Sequence, residues 1–212
     1  LTAMQPARIA AVSVYCSSSN TVHQDYFRAA RDIGTAIAQS SRVLIYGGGK
    51  VGLMGETARA ARAAGGRVVG IITQTLIDAE QMDPDNHEVV VVDTMRERKR
   101  ILEQRADAMI VLPGGLGTLE EFFEVLVGRL LGEHHKPIII FNPPDPDAPN
   151  NAGFYDPMLS MIDHMIAGRF AKPGVRTLFT VCRSAAEVAE SLIHAERQPR
   201  IPADRKALVP SA

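Results

Sequence analysis

Ala108-Met109-Ile110-Val111-Leu112-Pro113-Gly114-Gly115-Leu116-Gly117-Thr118-Leu119-Glu120-Glu121 passes from an unbroken apolar run, through a proline and three glycines, into a helical pattern over 118–131. A run apolar at every position suits a parallel strand covered on both faces, whereas a half-exposed antiparallel strand alternates. The same order recurs upstream, where 43–46 is apolar, Gly47-Gly48-Gly49-Lys50-Val51-Gly52 is the turn and 53–64 is the helical pattern. Working outward, further β-rich runs lie at 9–15, 67–72, 88–92, 137–141 and 178–181, and helical patterns at 24–39, 95–104, 155–166 and 185–197. Strands that alternate with helices in this way predict an α/β fold, a doubly wound and mostly parallel sheet flanked by helices in a single domain. The domain is expected over 9–197, after an N-terminal extension (1–8) and before a flexible tail (198–212) carrying Pro199, Pro202 and Pro210. Residues 142–153 hold four prolines and read as a loop.

Composition bounds the function. The chain has 212 residues, 46% hydrophobic and 22% charged, enough to bury a core and unlike disordered or fibrous sequences. With 23 Lys+Arg against 24 Asp+Glu there is no positive excess to meet a nucleic-acid backbone. No apolar run approaches the roughly 18 residues a membrane span needs, and the opening residues lack the pattern of a secretory signal. Cys16 and Cys182 lie almost at opposite ends, so neither a disulfide framework nor a metal-ligand set is expected, and a reducing cytoplasm is the expected compartment.

In open α/β sheets ligands bind beyond the carboxyl ends of the strands, which directs attention to the loops there. Gly114, Gly115 and Gly117 free backbone amides ahead of a helix whose first turn adds the Thr118 hydroxyl, a construction suited to a phosphate. Glu121 lies about a turn further on. Acids here also complement the helix dipole whatever the function; Glu124 is expected on the face of Glu121, and Glu120 in solvent. In 47–55, Gly48, Gly49 and Met54 either receive an anionic ligand or serve tight strand-to-helix packing. Lys50 lacks the Gly-Lys-Ser/Thr order of a P-loop. Met95-Arg96-Glu97-Arg98-Lys99-Arg100 is either a solvated helix start or a source of cations for the same crevice. Ser17 and Ser18 are either caps or donors to a phosphate or ribose.

The two motifs GGGKVGLMG (Gly47 to Gly55) and PGGLGTLEE (Pro113 to Glu121), with Met95, Arg98 and Lys99 between them, resemble the Lonely Guy (LOG) family of cytokinin riboside 5'-monophosphate phosphoribohydrolases. The likeness covers most of the chain, from Cys16-Ser17-Ser18-Ser19 to the helix beginning near Gly153-Phe154-Tyr155 and the final helix. It implies a Rossmann-like fold, a homodimer, and hydrolysis of a purine nucleoside 5'-monophosphate to free base and ribose 5-phosphate without metal or cofactor. By motif position it places catalysis on Arg98 and Glu121 and phosphate binding on Gly114, Gly115, Gly117 and Thr118. It further implies substrate contacts from Ser17, Ser18, Gly48, Gly49, Met54, Met95, Lys99 and Glu80. No pyridoxal-phosphate lysine supports the "lysine decarboxylase" label the family often carries. Gly128 stands where many members have an aromatic, so a reshaped base pocket or dimer contact is expected. The competing readings are a non-catalytic carrier resembling the molybdenum-cofactor carrier proteins, a nucleotide-binding regulator, and an NAD-dependent oxidoreductase; the last is disfavoured because the glycine turn follows the second strand and not the first.

Overall fold

In a computed structural model, which describes residues 8–79 and 81–197, seven strands make one sheet. They are β1 (Ala11–Tyr15), β2 (Val43–Tyr46), β3 (Val68–Thr73), β4 (Glu88–Val92), β5 (Ala108–Val111), β6 (Ile138–Phe141) and β7 (Thr180–Cys182). Their order is β4-β3-β2-β1-β5-β6-β7, and every neighbouring pair is parallel. The helices are α1 (Gln24–Gln39), α2 (Gly52–Ala63), α3 (Gln74–Asp78), α4 (Met95–Arg105), α5 (Leu116–Leu131), α6 (Asp156–Ala167) and α7 (Ala185–Arg197).

Because side chains alternate across a strand, each apolar run feeds two cores. Val12, Val14, Leu44, Tyr46, Ile110 and Phe141 pack with α1, α2 and α7 on one face. Tyr15, Ile45, Met109, Val111 and Ile140 pack with α4, α5 and α6 on the other. Strand order reverses at β1, which lies between β2 and β5, so the loops leaving these three strands frame one crevice.

Helix ends follow local chemistry. Thr94 caps α4 by accepting from the Glu97 amide at 3.1 Å, and α5 stops at Gly132 in the left-handed region (φ 74°). The sequence reading missed α3, a five-residue helix too short to show a period. The proline loop contains one 3-10 turn, Pro149–Asn151, and closes on itself through a bridge between Pro144 and Gly153. The expected extension falls mostly, and the expected tail wholly, outside the described residues, as does Glu80.

The turn from β2 into α2 depends on Gly52. Its φ is +58°, and a β-carbon there would lie 2.7 Å from the carbonyl oxygens of both Ser17 and Ser18. Gly52→Ala is therefore expected to destabilise the protein by about 2 kcal/mol or more; an unchanged urea midpoint would contradict this account of the turn.

Candidate active site

The two glycine motifs reach the crevice in different states. At α2 the first amides are already satisfied by the loop after β1: Gly52 donates to Asn20 Oδ1 at 2.8 Å and Leu53 to the Ser17 carbonyl at 2.9 Å. Lys50 donates to the Gln81 carbonyl at 2.8 Å, and the Gly48 carbonyl accepts from the Asp83 amide at 2.9 Å. The anionic guest admitted as one reading of 47–55 thus has few free amides to meet, and tight packing accounts for that segment. At α5 the cap is Gly115, no side chain caps the helix, and the first-turn amides have no intrahelical partner. Side chains added at Gly115 or Gly117 would meet nothing within 4 Å, so the unliganded fold does not require glycine at either position. Thr118 is buried with no hydrogen bond recorded for its hydroxyl, and Gly114 stands behind it against its side chain.

These residues border a cavity of about 580 Å³. Ser17, Ser18, Gly49, Met54, Met95, Arg98, Lys99, Gly115, Gly117, Thr118 and Glu121 all line it, which brings eleven of the expected site residues together. Gly48 and Gly114 do not line it; the first is structural, and the second borders a separate apolar pouch with Val22, Tyr26, Leu53 and Phe154. Ser17 Oγ accepts from the Ser19 amide at 3.1 Å, so it shapes its own turn while facing the cavity.

Arg98, only 6% exposed, crosses the floor. Its Nε donates to the Ile71 carbonyl at 2.9 Å and its Nη2 to the Gly47 carbonyl at 3.0 Å, near the carboxyl ends of β3 and β2. Nη1 is left facing Glu121 Oε1 at 3.9 Å, an ion pair short of a hydrogen bond. Burial pushes the Glu121 carboxyl up to about 7, with Arg98 as the main opposing influence. Burial likewise lowers the Arg98 guanidinium, opposed by Glu121, yet arginine stays cationic at neutral pH. The floor is therefore a fixed cation beside a carboxyl poised between its two forms.

Lys99, expected to contact the substrate, lines the cavity while its ammonium holds two carboxylates. It bridges Glu120 and Glu124, the latter at 2.6 Å, while Glu124, three residues beyond Glu121, also acts on that carboxyl electrostatically. Burial alone would lower the Lys99 ammonium, and these two hydrogen bonds outweigh it and raise it. Gly128 is buried against His134, at 3.3 Å from a β-carbon built there, and does not border the cavity. Ile72, Leu76 and Gln81 form a wall that sequence reasoning missed, because α3 is too short to show a period and Ile72 reads as an ordinary strand residue. Among the described residues no three His, Cys, Asp or Glu side chains are placed to hold a metal, and no helix is long and apolar enough to cross a membrane.

Sheet, crevice, open helix end and guanidinium–carboxyl pair define a Rossmann-like protein whose α5 start and buried ion pair border one cavity. A family described as possible lysine decarboxylases matches residues 54–192. A cytokinin riboside 5'-monophosphate phosphoribohydrolase of Mycobacterium tuberculosis is 48% identical over 132 residues, 62% of this chain and 70% of its own length. One from Rhodococcoides fascians is 39% identical over 189 residues, 89% of both. Among solved structures, a molybdenum cofactor carrier protein of Chlamydomonas reinhardtii superposes with a TM-score of 0.67 at 17% identity, covering 90% of this chain and all of its own, a likeness of fold alone. The chain belongs to the possible-lysine-decarboxylase family, in its Lonely Guy phosphoribohydrolase branch.

Two outcomes follow from the geometry. Gly117→Ala is expected to leave stability within about 0.5 kcal/mol, since no space or dihedral constraint opposes it, while weakening nucleotide binding measured by calorimetry; unchanged affinity would remove the loop from the phosphate site. Glu121 has a folded pKa above its unfolded value, so its favourable contribution is complete below about 4.5 and is lost as pH rises through about 7. The stability of Glu121→Gln relative to wild type should therefore climb between these limits, and a flat difference would contradict the buried carboxyl.

Proposed function

We propose that this protein hydrolyses the N-glycosidic bond of a purine riboside 5'-monophosphate, giving free base and ribose 5-phosphate, and that it works as a homodimer in the cytoplasm. The observation that carries the reading is the Arg98–Glu121 pair on the floor of a cavity whose next turn is the uncapped start of α5.

A 5'-phosphate at the α5 amides and Thr118 meets both hydrogen-bond donors and the positive end of the helix. Three residues on, Glu121 shares the face of Thr118, so the same helix offers a carboxylate to the sugar. As the bond from the anomeric carbon to the purine nitrogen breaks, positive charge develops on the ribose ring, and ionised Glu121 stabilises it and orients the attacking water. The water oxygen bonds to the anomeric carbon, and the proton it sheds ends on the departing base. Arg98 cannot readily release a proton, so its role is electrostatic: it fixes the carboxylate and contributes to holding the phosphate or ribose. Met54, Ile72, Leu76 and Met95 give the cavity an apolar wall, which suits a base with an apolar substituent. Met95 and Leu116 line the cavity while 49% and 87% exposed, and with exposed Val91, Val127 and Leu131 they support a second copy beside the site.

The carrier reading draws on a fold neighbour at 17% identity and gives the ion pair no task. Arg98→Ala and Glu121→Gln are each expected to cut base release by about a thousandfold or more, the scale of losing a transition-state charge partner, in protein that still folds. Near-wild-type turnover in either would sink the mechanism. With Glu121 working as the carboxylate, kcat/KM should rise with pH along a limb set by its pKa of about 7; a limb falling with pH over that range would assign it the acid role instead.

A further inference from the structure

The phosphate loop has few ties of its own. Gly115 and Gly117 are exposed, and nothing packs where their side chains would be. One link to the rest of the protein is the Ser17 amide donating to the Pro113 carbonyl at 3.1 Å. The other comes from the opposite half of the sheet. Tyr155, 2% exposed at the start of α6, donates its hydroxyl to the Leu112 carbonyl at 2.6 Å, one residue past the end of β5. Burial raises the tyrosine far above its ordinary range, which keeps it a donor at every working pH.

Tyr155 is itself held. Its amide donates to Asn142 Oδ1 at 2.7 Å, and Asn142 Nδ2 donates to Asp156 Oδ1 at 2.7 Å. Asp156 Oδ2 accepts from the Gly153 amide at 2.7 Å, closing the proline loop. Asn142 lies just past β6 and its own amide donates to the Cys182 carbonyl at 2.7 Å. A chain of short contacts thus runs from β6 and β7 through Asn142, Asp156 and Tyr155 to the Leu112 carbonyl, which leads into the phosphate loop.

We propose that Tyr155 is a positioning residue for the phosphate: its hydroxyl sets the height and direction of the Gly114–Thr118 turn, so that the α5 amides converge on the ligand's phosphate group. This rests on the phosphate site of the preceding section, but not on hydrolysis. Removing the hydroxyl leaves the ring in the core and frees the Leu112 carbonyl, so the loop loses its anchor while the fold remains.

The experiment is calorimetric titration of wild type, Tyr155→Phe and Asp156→Asn with ribose 5-phosphate, together with the KM and kcat for AMP. Tyr155→Phe should bind ribose 5-phosphate about tenfold more weakly and show KM raised in proportion with kcat little changed, the order of effect a small misplacement produces. Its melting temperature should fall by no more than about 4 °C. Asp156→Asn, on a partly exposed side chain, should shift both constants in the same direction and by less, and it carries the test if Tyr155→Phe does not fold. A lowered melting temperature with wild-type affinity would show a purely structural hydroxyl and overturn the proposal. Wild type that binds ribose 5-phosphate without releasing base would refute hydrolysis and leave Tyr155 to be judged by the affinities. Wild type that does not bind it would overturn both.

Discussion

The site depends on one buried cation. Arg98 is drawn below the surface by two backbone carbonyls near the carboxyl ends of neighbouring parallel strands, Ile71 and Gly47, and these leave one guanidinium nitrogen for Glu121. A charge at this depth is costly unless hydrogen-bonded and paired, and its partners come from three separate elements. The order β3-β2-β1-β5 brings α4 and α5 onto the same face, so the sheet topology itself delivers the arginine to the carboxylate. Burial raises Glu121 to about 7, which means the folded protein gives up stability to keep a carboxyl there.

Around that pair the cavity is divided by function. The α5 end is polar and uncapped, and the β3–α3 side is apolar. A nucleotide has the same division, with a dianionic phosphate at one end and a flat base at the other, separated by the sugar whose bond is to break. In the proposed reaction, the spacing of Thr118 and Glu121 along one helix face would link phosphate recognition to the reacting carbon through a rigid element. The α2 end, although richer in glycine, spends its amides on Ser17 and Asn20 and so stiffens one wall of the cavity.

Most of the fold was legible because the central strands are buried on both faces and each long helix shows its period. The edges shifted by a residue or two, and α3 escaped because five residues cannot display a period. That Arg98, Glu121 and the α5 loop would meet in one crevice was readable from their places after strand ends, and the resemblance singled them out. The sequence could not reveal which glycine motif stays open, since that is decided by Asn20 and Ser17 reaching across from another loop. Nor could it show that Lys99 is occupied by Glu120 and Glu124, or that Gly128 lies against His134 away from the cavity. Tyr155 was visible only as part of a motif; its hydroxyl acquires meaning from a carbonyl 43 residues earlier in the chain.

The central claim is that phosphate held at α5 places the sugar at Glu121. Its most direct test is chromatographic detection of free base after incubation with AMP and an N6-isopentenyl adenosine monophosphate, each beside its phosphate-free nucleoside. The account predicts release from the monophosphates and almost none from the nucleosides. Equal release from nucleosides, or none from any of the four, would contradict it.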